Sequence, residues 1–257
     1  MTTAAPAPVP AYWCRAPSQR NFGDALTPWI IKSLTGVAPR FVPPGRDKAT
    51  SIAVGSIISW ADRNTTVWGS GIMTRDDRVS PDATILAVRG PLTRARALAC
   101  GAECPEVYGD PALLLPRLYQ PPKATRAGVG VIPHLAHKAR LLATWRPSDE
   151  LRFIDIQSPV ESVIDQVTSC EIIGSSSLHG LIVGHAFGIP AVWLNFGDLP
   201  SGDGSKFDDY FASVGHDWPV PTDQTDRIEP DDWPSASLPA RGVPDLDTLW
   251  GACPWTT

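Results

Sequence analysis

No two cysteines in this chain are spaced as CxxC; the five stand at 14, 100, 104, 170 and 253, and their odd number leaves at least one without a partner in the chain. That pattern suits a reducing compartment. A basic excess is missing too: the net charge is −5, which speaks against a general nucleic-acid binder, because neutralising a phosphate backbone needs a basic face. Small anionic ligands held by local basic residues stay open. The longest apolar stretch, about 181 to 196, is interrupted by His185 and Pro190 and is too short to span a bilayer. The first residues, MTTAAPAPVPAYW, lack the basic start and apolar core of a secretory signal. No heptad pattern, internal repeat or metal-binding motif is present. The expectation is a soluble cytoplasmic protein, touching the inner face of a membrane at most peripherally, that needs no metal or cofactor.

What is there is core-forming material: 43% of the residues are hydrophobic, enough for one large domain or two small ones in 257 residues. Short β-rich runs alternate with helical patterns: 51-SIAVGS, 65-TTVWGSG, 83-ATILAVR, 106-EVYGD, 128-GVGVIPH, 152-RFIDI, 170-CEIIGS and 190-PAVWLNF. In 91-PLTRARALAC, Pro91 suits the first helical position and Gly101 the C-cap. Such alternation predicts an α/β fold with parallel sheets covered on both faces. The break at 120-QPPKATRAG divides the series into two Rossmann-like halves with a central cleft, 11–122 and 123–215. A disordered tail (1–10) precedes them, and a Pro- and Trp-rich segment (216–257) packs back over the body.

Ligands of open parallel sheets bind beyond the carboxyl ends of the strands. Arg89, Asp110, His134 and the run from Ser175 to His179 all come directly after predicted strands. In 174-GSSSLHGLIVGHAFGIPAV a strand passes through hydroxyl-bearing residues into an otherwise apolar helix, the arrangement in which free backbone N–H groups and the hydroxyls of Ser175, Ser176 and Ser177 face an anion. Each residue also has a plainer role. Arg89 suits a surface ion pair, Asp110 before Pro111 a turn, the serines an N-cap, and His134 with His137 a solvated helix start.

Taken together, 21-NFGD, 67-VWGSG, 88-VRGPLTR, 107-VYGDPALL, 175-SSSLHGLIVGHAFGIPAV and 206-KFDDYF resemble the polysaccharide pyruvyltransferase family, in one collinear order from about 20 to 212. The resemblance implies a GT-B-like architecture and transfer of the pyruvyl group of phosphoenolpyruvate to two hydroxyls of a hexose, often O4 and O6, as a cyclic ketal. It ties Arg89, His179 and Lys206 to the donor. Some branches carry an arginine where this chain has Ser177, which shifts the load here onto hydroxyls and backbone amides. The implied acceptor is a hexose of an exopolysaccharide precursor or glycolipid, with a lipid-linked saccharide among the expected forms.

In that reading His179 is the general acid that protonates the donor methylene. A helix N-terminus disfavours imidazolium, so the expectation is that His179 charges mainly once the donor phosphate is bound. Arg89 suits a bidentate grip on one anionic group and Lys206 a point charge on the other. On the acceptor side stand Asn21, Asp24, Asp110 and His134, with Asp24 equally suited to be a helix N-cap. The rival is a GT-B glycosyltransferase using a nucleotide sugar, which needs a late carboxylate such as Asp198, Asp203, Asp208 or Asp209 for the ribose.

Overall fold

The computed structural model describes every residue except 1–6, 16–20, 46, 146, 147, 149, 218, 225–229, 238–241, 243 and 257. Among the described residues, ten short strands form two sheets. The first contains β1 (Pro10–Tyr12), β2 (Arg40–Phe41), β3 (Thr50–Ile52), β4 (Thr65–Trp68) and β5 (Thr84–Ala87); the second contains β6 (Val129–Ile132), β7 (Leu151–Phe153), β8 (Ile172–Ser175), β9 (Ala191–Asn195) and β10 (Thr222–Asp223). All pairings are parallel. The orders β2-β1-β3-β4-β5 and β7-β6-β8-β9-β10 are the same doubly wound pattern used twice. In each sheet the order reverses beside the first strand of that sheet, so one crevice opens above β1 and β3 and another above β6 and β8.

Parallel sheets need cover on both faces, and the helices α1 (Phe22–Thr35), α2 (Pro91–Ala99), α3 (Leu115–Leu118), α4 (Leu135–Thr144), α5 (Val160–Thr168), α6 (Leu178–Ala186) and α7 (Ser205–Ser213) supply it, with the short α8 (Trp233–Ala236) and α9 (Leu246–Gly251) after them. The largest buried cluster joins both halves: Phe22, Leu26 and Ile30 of α1 pack with Trp68 and Leu113 of the first half and with Ile132, Ile156 and Val163 of the second. Each such fully buried side chain contributes about 1.5–3 kcal/mol. Helix α6 is buried nearly all round, from Leu178 through His185 except at His179, as a helix between two layers must be. Among the described residues no helix is long and apolar enough to cross a membrane.

Several sequence expectations change. Val9 and Pro10 belong to the first sheet, Val9 accepting the Arg40 N–H at 2.8 Å, so the predicted tail does not reach residue 10; residues 1–6 lie outside the described residues. The run 106-EVYGD makes one bridge, Val88 to Tyr108, and no strand. Its ladder is cut off where Gly109 takes φ 133° and Pro111 comes soon after. The second sheet extends past 215, since β10 lies at 222–223. Helix α2 starts at Pro91, but its C-cap is Cys100, and Gly101 sits one position beyond at φ 85°. Of the C-terminal segment, Trp233 is buried against Gly174 and Leu194 of the second sheet. Further on, Leu249 packs at Gly109, and its carbonyl accepts from Trp68 Nε1 at 2.9 Å.

Candidate active site

His179 stands in the first turn of α6, facing the start of α1 and the loop before residues 111–114. Its Nδ1 edge lies so close to Gly23 that any Cβ there would collide with the ring. On the other edge, Nε2 is 3.7 Å from Asp110 Oδ2, and both atoms are buried without a hydrogen-bond partner. Asp110 is fully buried; its Oδ1 accepts the Ala112 N–H at 2.9 Å, which fixes the carboxylate plane. The arrangement is a carboxylate–imidazole pair slightly too long for a hydrogen bond, able to close once the ring carries a second proton.

Asn21, not Asp24, caps α1: its side chain accepts the Gly23 N–H at 3.0 Å. Asp24 therefore lies inside the first turn, freed from capping. Burial pushes its carboxyl up to about 6, with His179 pulling in the opposite direction. A carboxyl titrating near 6 in the folded chain and near 4 in the unfolded chain destabilises the fold above pH 6 and not below pH 4. Asp24→Asn is therefore expected to raise stability at pH 7.5 by on the order of 2 kcal/mol, a gain of several degrees in Tm, and to flatten the stability profile between pH 4 and 6. Thermal melts across that range check it; a variant that keeps the wild-type slope refutes the buried-carboxyl assignment.

The second crevice holds a different chemistry. Lys206, in the first turn of α7, is 8% exposed and has no hydrogen bond or acidic partner among the described residues. Burial brings its ammonium down to about 8, and Arg89 adds to the shift. It lines a cavity of about 180 Å³ together with His137, Ser176, Asn195, Gly197 and Gly204. His134 caps α4, Nδ1 accepting from Ala136 N–H at 3.2 Å; burial, then Lys206, then His137 depress it to about 4, so it stays neutral. His137 is depressed as well, chiefly by burial. Its Nε2 lies 3.3 Å from the Asp198 carbonyl and its Nδ1 3.0 Å from Ser176 Oγ, so Nε2 carries the proton and Ser176 donates to Nδ1. A buried ammonium beside imidazoles whose protonation is disfavoured concentrates positive charge where an anion would offset its desolvation.

Arg89 is placed differently from its sequence reading. It is fully buried, and its guanidinium is engaged on three sides: Nε with Asp209 at 2.9 Å, Nη1 with Ser56 Oγ at 2.7 Å and Nη2 with the Ile72 carbonyl at 2.7 Å. Asp209 also accepts from Thr93 N–H at 2.8 Å and from its hydroxyl at 2.7 Å. This buried junction ties α7 of the second half to α2 of the first. The bidentate grip on a ligand is thus corrected: the guanidinium is shared among Asp209, Ser56 and the Ile72 carbonyl, and its charge is felt at Lys206. The same finding removes Asp209 as a ribose ligand. Asp203 accepts the Arg75 and Ser205 N–H groups, and Asp208 pairs with Arg75.

The three serines also divide. Ser175 Oγ lies 2.7 Å from the Ile132 carbonyl and 2.8 Å from that of Ser177, and it accepts the Ser177 N–H. It braces the turn from behind and offers nothing to a ligand. Ser176 accepts the His134 N–H at 2.9 Å and gives its proton to His137. Ser177 caps α6 through its backbone alone, and its hydroxyl makes no hydrogen bond among the described residues. His134 sits with Lys206, not with the acceptor group of Asn21, Asp24 and Asp110. Sequence reasoning missed Asp209 and Ser56 as partners of Arg89, and Thr93 as a partner of Asp209; 206-KFDDYF contains the signal, since a helix at that spacing buries Asp209 along with Lys206 and Tyr210.

A family model described as polysaccharide pyruvyl transferase matches residues 60–198. The chain is 34% identical over 171 residues to the uncharacterized protein L143 of Acanthamoeba polyphaga mimivirus, a match covering 63% of this chain and 59% of that one. It is 27% identical over 220 residues to the succinoglycan biosynthesis protein ExoV of Rhizobium meliloti (strain 1021), covering 80% and 65% respectively. The matches thus span less than two thirds of either relative's length. The family match covers more than half of the chain and includes Arg89, Asp110, His134 and the 175–179 turn, and the chain is a member of the polysaccharide pyruvyl transferase family.

Proposed function

We propose that the chain is a phosphoenolpyruvate-dependent ketal pyruvyltransferase acting on O4 and O6 of a hexose in an exopolysaccharide precursor or glycolipid, with the two Rossmann-like halves arranged as in GT-B enzymes. The observation that carries this reading is Lys206: a buried ammonium at the β6/β8 crevice that lies 5.4 Å from the Phe207 ring centroid and has no acidic partner among the described residues, supporting an anionic donor, with an imidazole flanked by two carboxylates at the neighbouring helix start. The donor carries a phosphate and a carboxylate. Lys206, the field of Arg89, the Ser177 hydroxyl and the first-turn amides of α6 are the groups available to them.

In the reaction, His179 delivers a proton to the methylene carbon, and positive charge develops at C2. One sugar oxygen then bonds to C2, phosphate leaves with the C2–O electron pair, and the second sugar oxygen closes the ketal. Of the two hydroxyl protons released, one replaces that lost by His179 and the other leaves on phosphate. Since Nε2 faces Asp110 and is buried, the transferred proton leaves from Nδ1. Asp24, titrating near 6, is suited to take a proton from the sugar at neutral pH.

Ligand-dependent thermal stability tests the donor without knowledge of the acceptor. Phosphoenolpyruvate at 100 times its Kd is expected to add about 2.7 kcal/mol, a rise of roughly 5–10 °C in Tm, more than phosphate or pyruvate at equal concentration. Stabilisation by a nucleotide sugar with none by phosphoenolpyruvate would overturn the proposal in favour of glycosyl transfer.

A further inference from the structure

A second cavity, of about 240 Å³, lies on the first half and is lined by Arg40, Phe41, Val42, Pro43 and Lys48. Arg40 and Lys48 are exposed, and neither has an acidic partner among the described residues; nearby Asp47 is paired with Arg63. Phe41 forms the wall between this cavity and a row of rings. Its centroid lies 5.0 Å from that of Trp13, edge-on, and 5.7 Å from that of Tyr12, which is 5.8 Å from Trp60. The Arg15 guanidinium sits 4.6 Å above Phe41 and 5.8 Å from Trp13.

Core packing accounts only for Tyr12 in this row, which lies partly buried against one of the three clusters. Trp13, Phe41 and Trp60 belong to none of the three buried clusters, and Trp60 is 59% exposed. The row also leads somewhere: Tyr12 ends β1, and its phenol is raised by burial and by the neighbouring Cys14 and Asp24, the same Asp24 that faces His179. The row is thus a strip that starts at the carboxyl end of β1, beside the α1 start that carries Asp24, and runs past Phe41, with Arg15 over its ring, to the cavity where Arg40, at the start of β2, and Lys48, before β3, have no acidic partner among the described residues.

We infer that this strip is an acceptor subsite holding the sugar units beyond the one that receives pyruvate, and that its ligand is an acidic oligosaccharide. The saccharide class rests on the proposed pyruvyl transfer. Pyranose rings present C–H faces that match aromatic faces. A carboxylate on a distal sugar matches the Arg40 and Lys48 side chains.

Calorimetry with the full chain and two probes tests it: a tetrasaccharide with one glucuronic acid unit and its carboxyl-reduced counterpart. Wild type is expected to bind the acidic probe at least tenfold more tightly. The double variant Arg40→Ala/Lys48→Ala loses that difference, and Phe41→Ala weakens both probes at least tenfold. Trp13→Ala, at a more open position, does the same should Phe41→Ala fail to fold. Equal affinity for the two probes in wild type, no binding of the acidic one, or unchanged binding in the variants would each overturn the subsite. Phosphoenolpyruvate-induced stabilisation, measured alongside, stays unchanged in all of them. Its absence in wild type with intact oligosaccharide binding would remove the donor reading and leave the subsite standing.

Discussion

On the proposed function, His179→Ala is expected to lower pyruvyl transfer by about 10²–10⁴-fold, the contribution of a positioned general acid, with phosphoenolpyruvate still expected to stabilise the variant. In the proposed reaction, protonation at carbon is the step with no substitute in the crevice: Lys206 is assigned to the donor's anionic groups, His134 is depressed to about 4 and so stays neutral, and His137 is committed to Ser176 and the Asp198 carbonyl. The ring is fixed on both edges, by Gly23 and by Asp110. Two further variants separate presence of the imidazole from its placement. Gly23→Ala keeps the histidine but drives a methyl into its ring, and a comparable loss is expected. Asp110→Asn keeps the shape and removes the carboxylate charge 3.7 Å from Nε2, and is expected to lower kcat without changing donor affinity. Turnover near wild type in His179→Ala, measured by phosphate release, would take histidine out of the mechanism, and the carboxylate pair with it.

Much of this site was legible because parallel sheets collect functional residues at strand ends. The apolar runs at 65–68, 84–87, 129–132, 172–175 and 191–195 are strands, and the residues just beyond their carboxyl ends line or support the two crevices. Strands of two or three residues, such as β1, β2 and β10, leave no periodicity to read. The direction of a hydroxyl is equally hidden: Ser175, Ser176 and Ser177 look alike in sequence, yet one braces the turn, one serves His137 and one is left free. Arg89 is the clearest limit. An arginine after a strand reads as a ligand for anions, and only the fold brings Asp209, 120 positions later, against its Nε. Long-range pairing of buried charges has no local signature, since either partner alone would be expected on the surface.

Lys206→Met is expected to make the protein more stable and to weaken its hold on the donor. The ammonium titrates at about 8 in the folded chain, against about 10.5 unfolded. Below pH 8 it is charged in both states, and its full desolvation penalty weighs on the fold; between about pH 8 and 10.5 the folded chain sheds the proton first and the penalty fades. Removing the charge therefore stabilises the protein most at neutral pH, by up to about 3 kcal/mol, and the advantage shrinks above pH 8. Donor binding runs the other way. Losing one charged contact weakens phosphoenolpyruvate by about 1.5–3 kcal/mol, roughly 10- to 150-fold in Kd. Wild-type affinity is flat below pH 8 and falls about tenfold per unit above it, as binding must recover the proton, and the variant loses that slope. A lysine kept for packing would give the opposite result, lower stability with donor affinity unchanged. A gain of stability coupled to a loss of affinity is what distinguishes a buried charge held without a counter-ion until its ligand arrives.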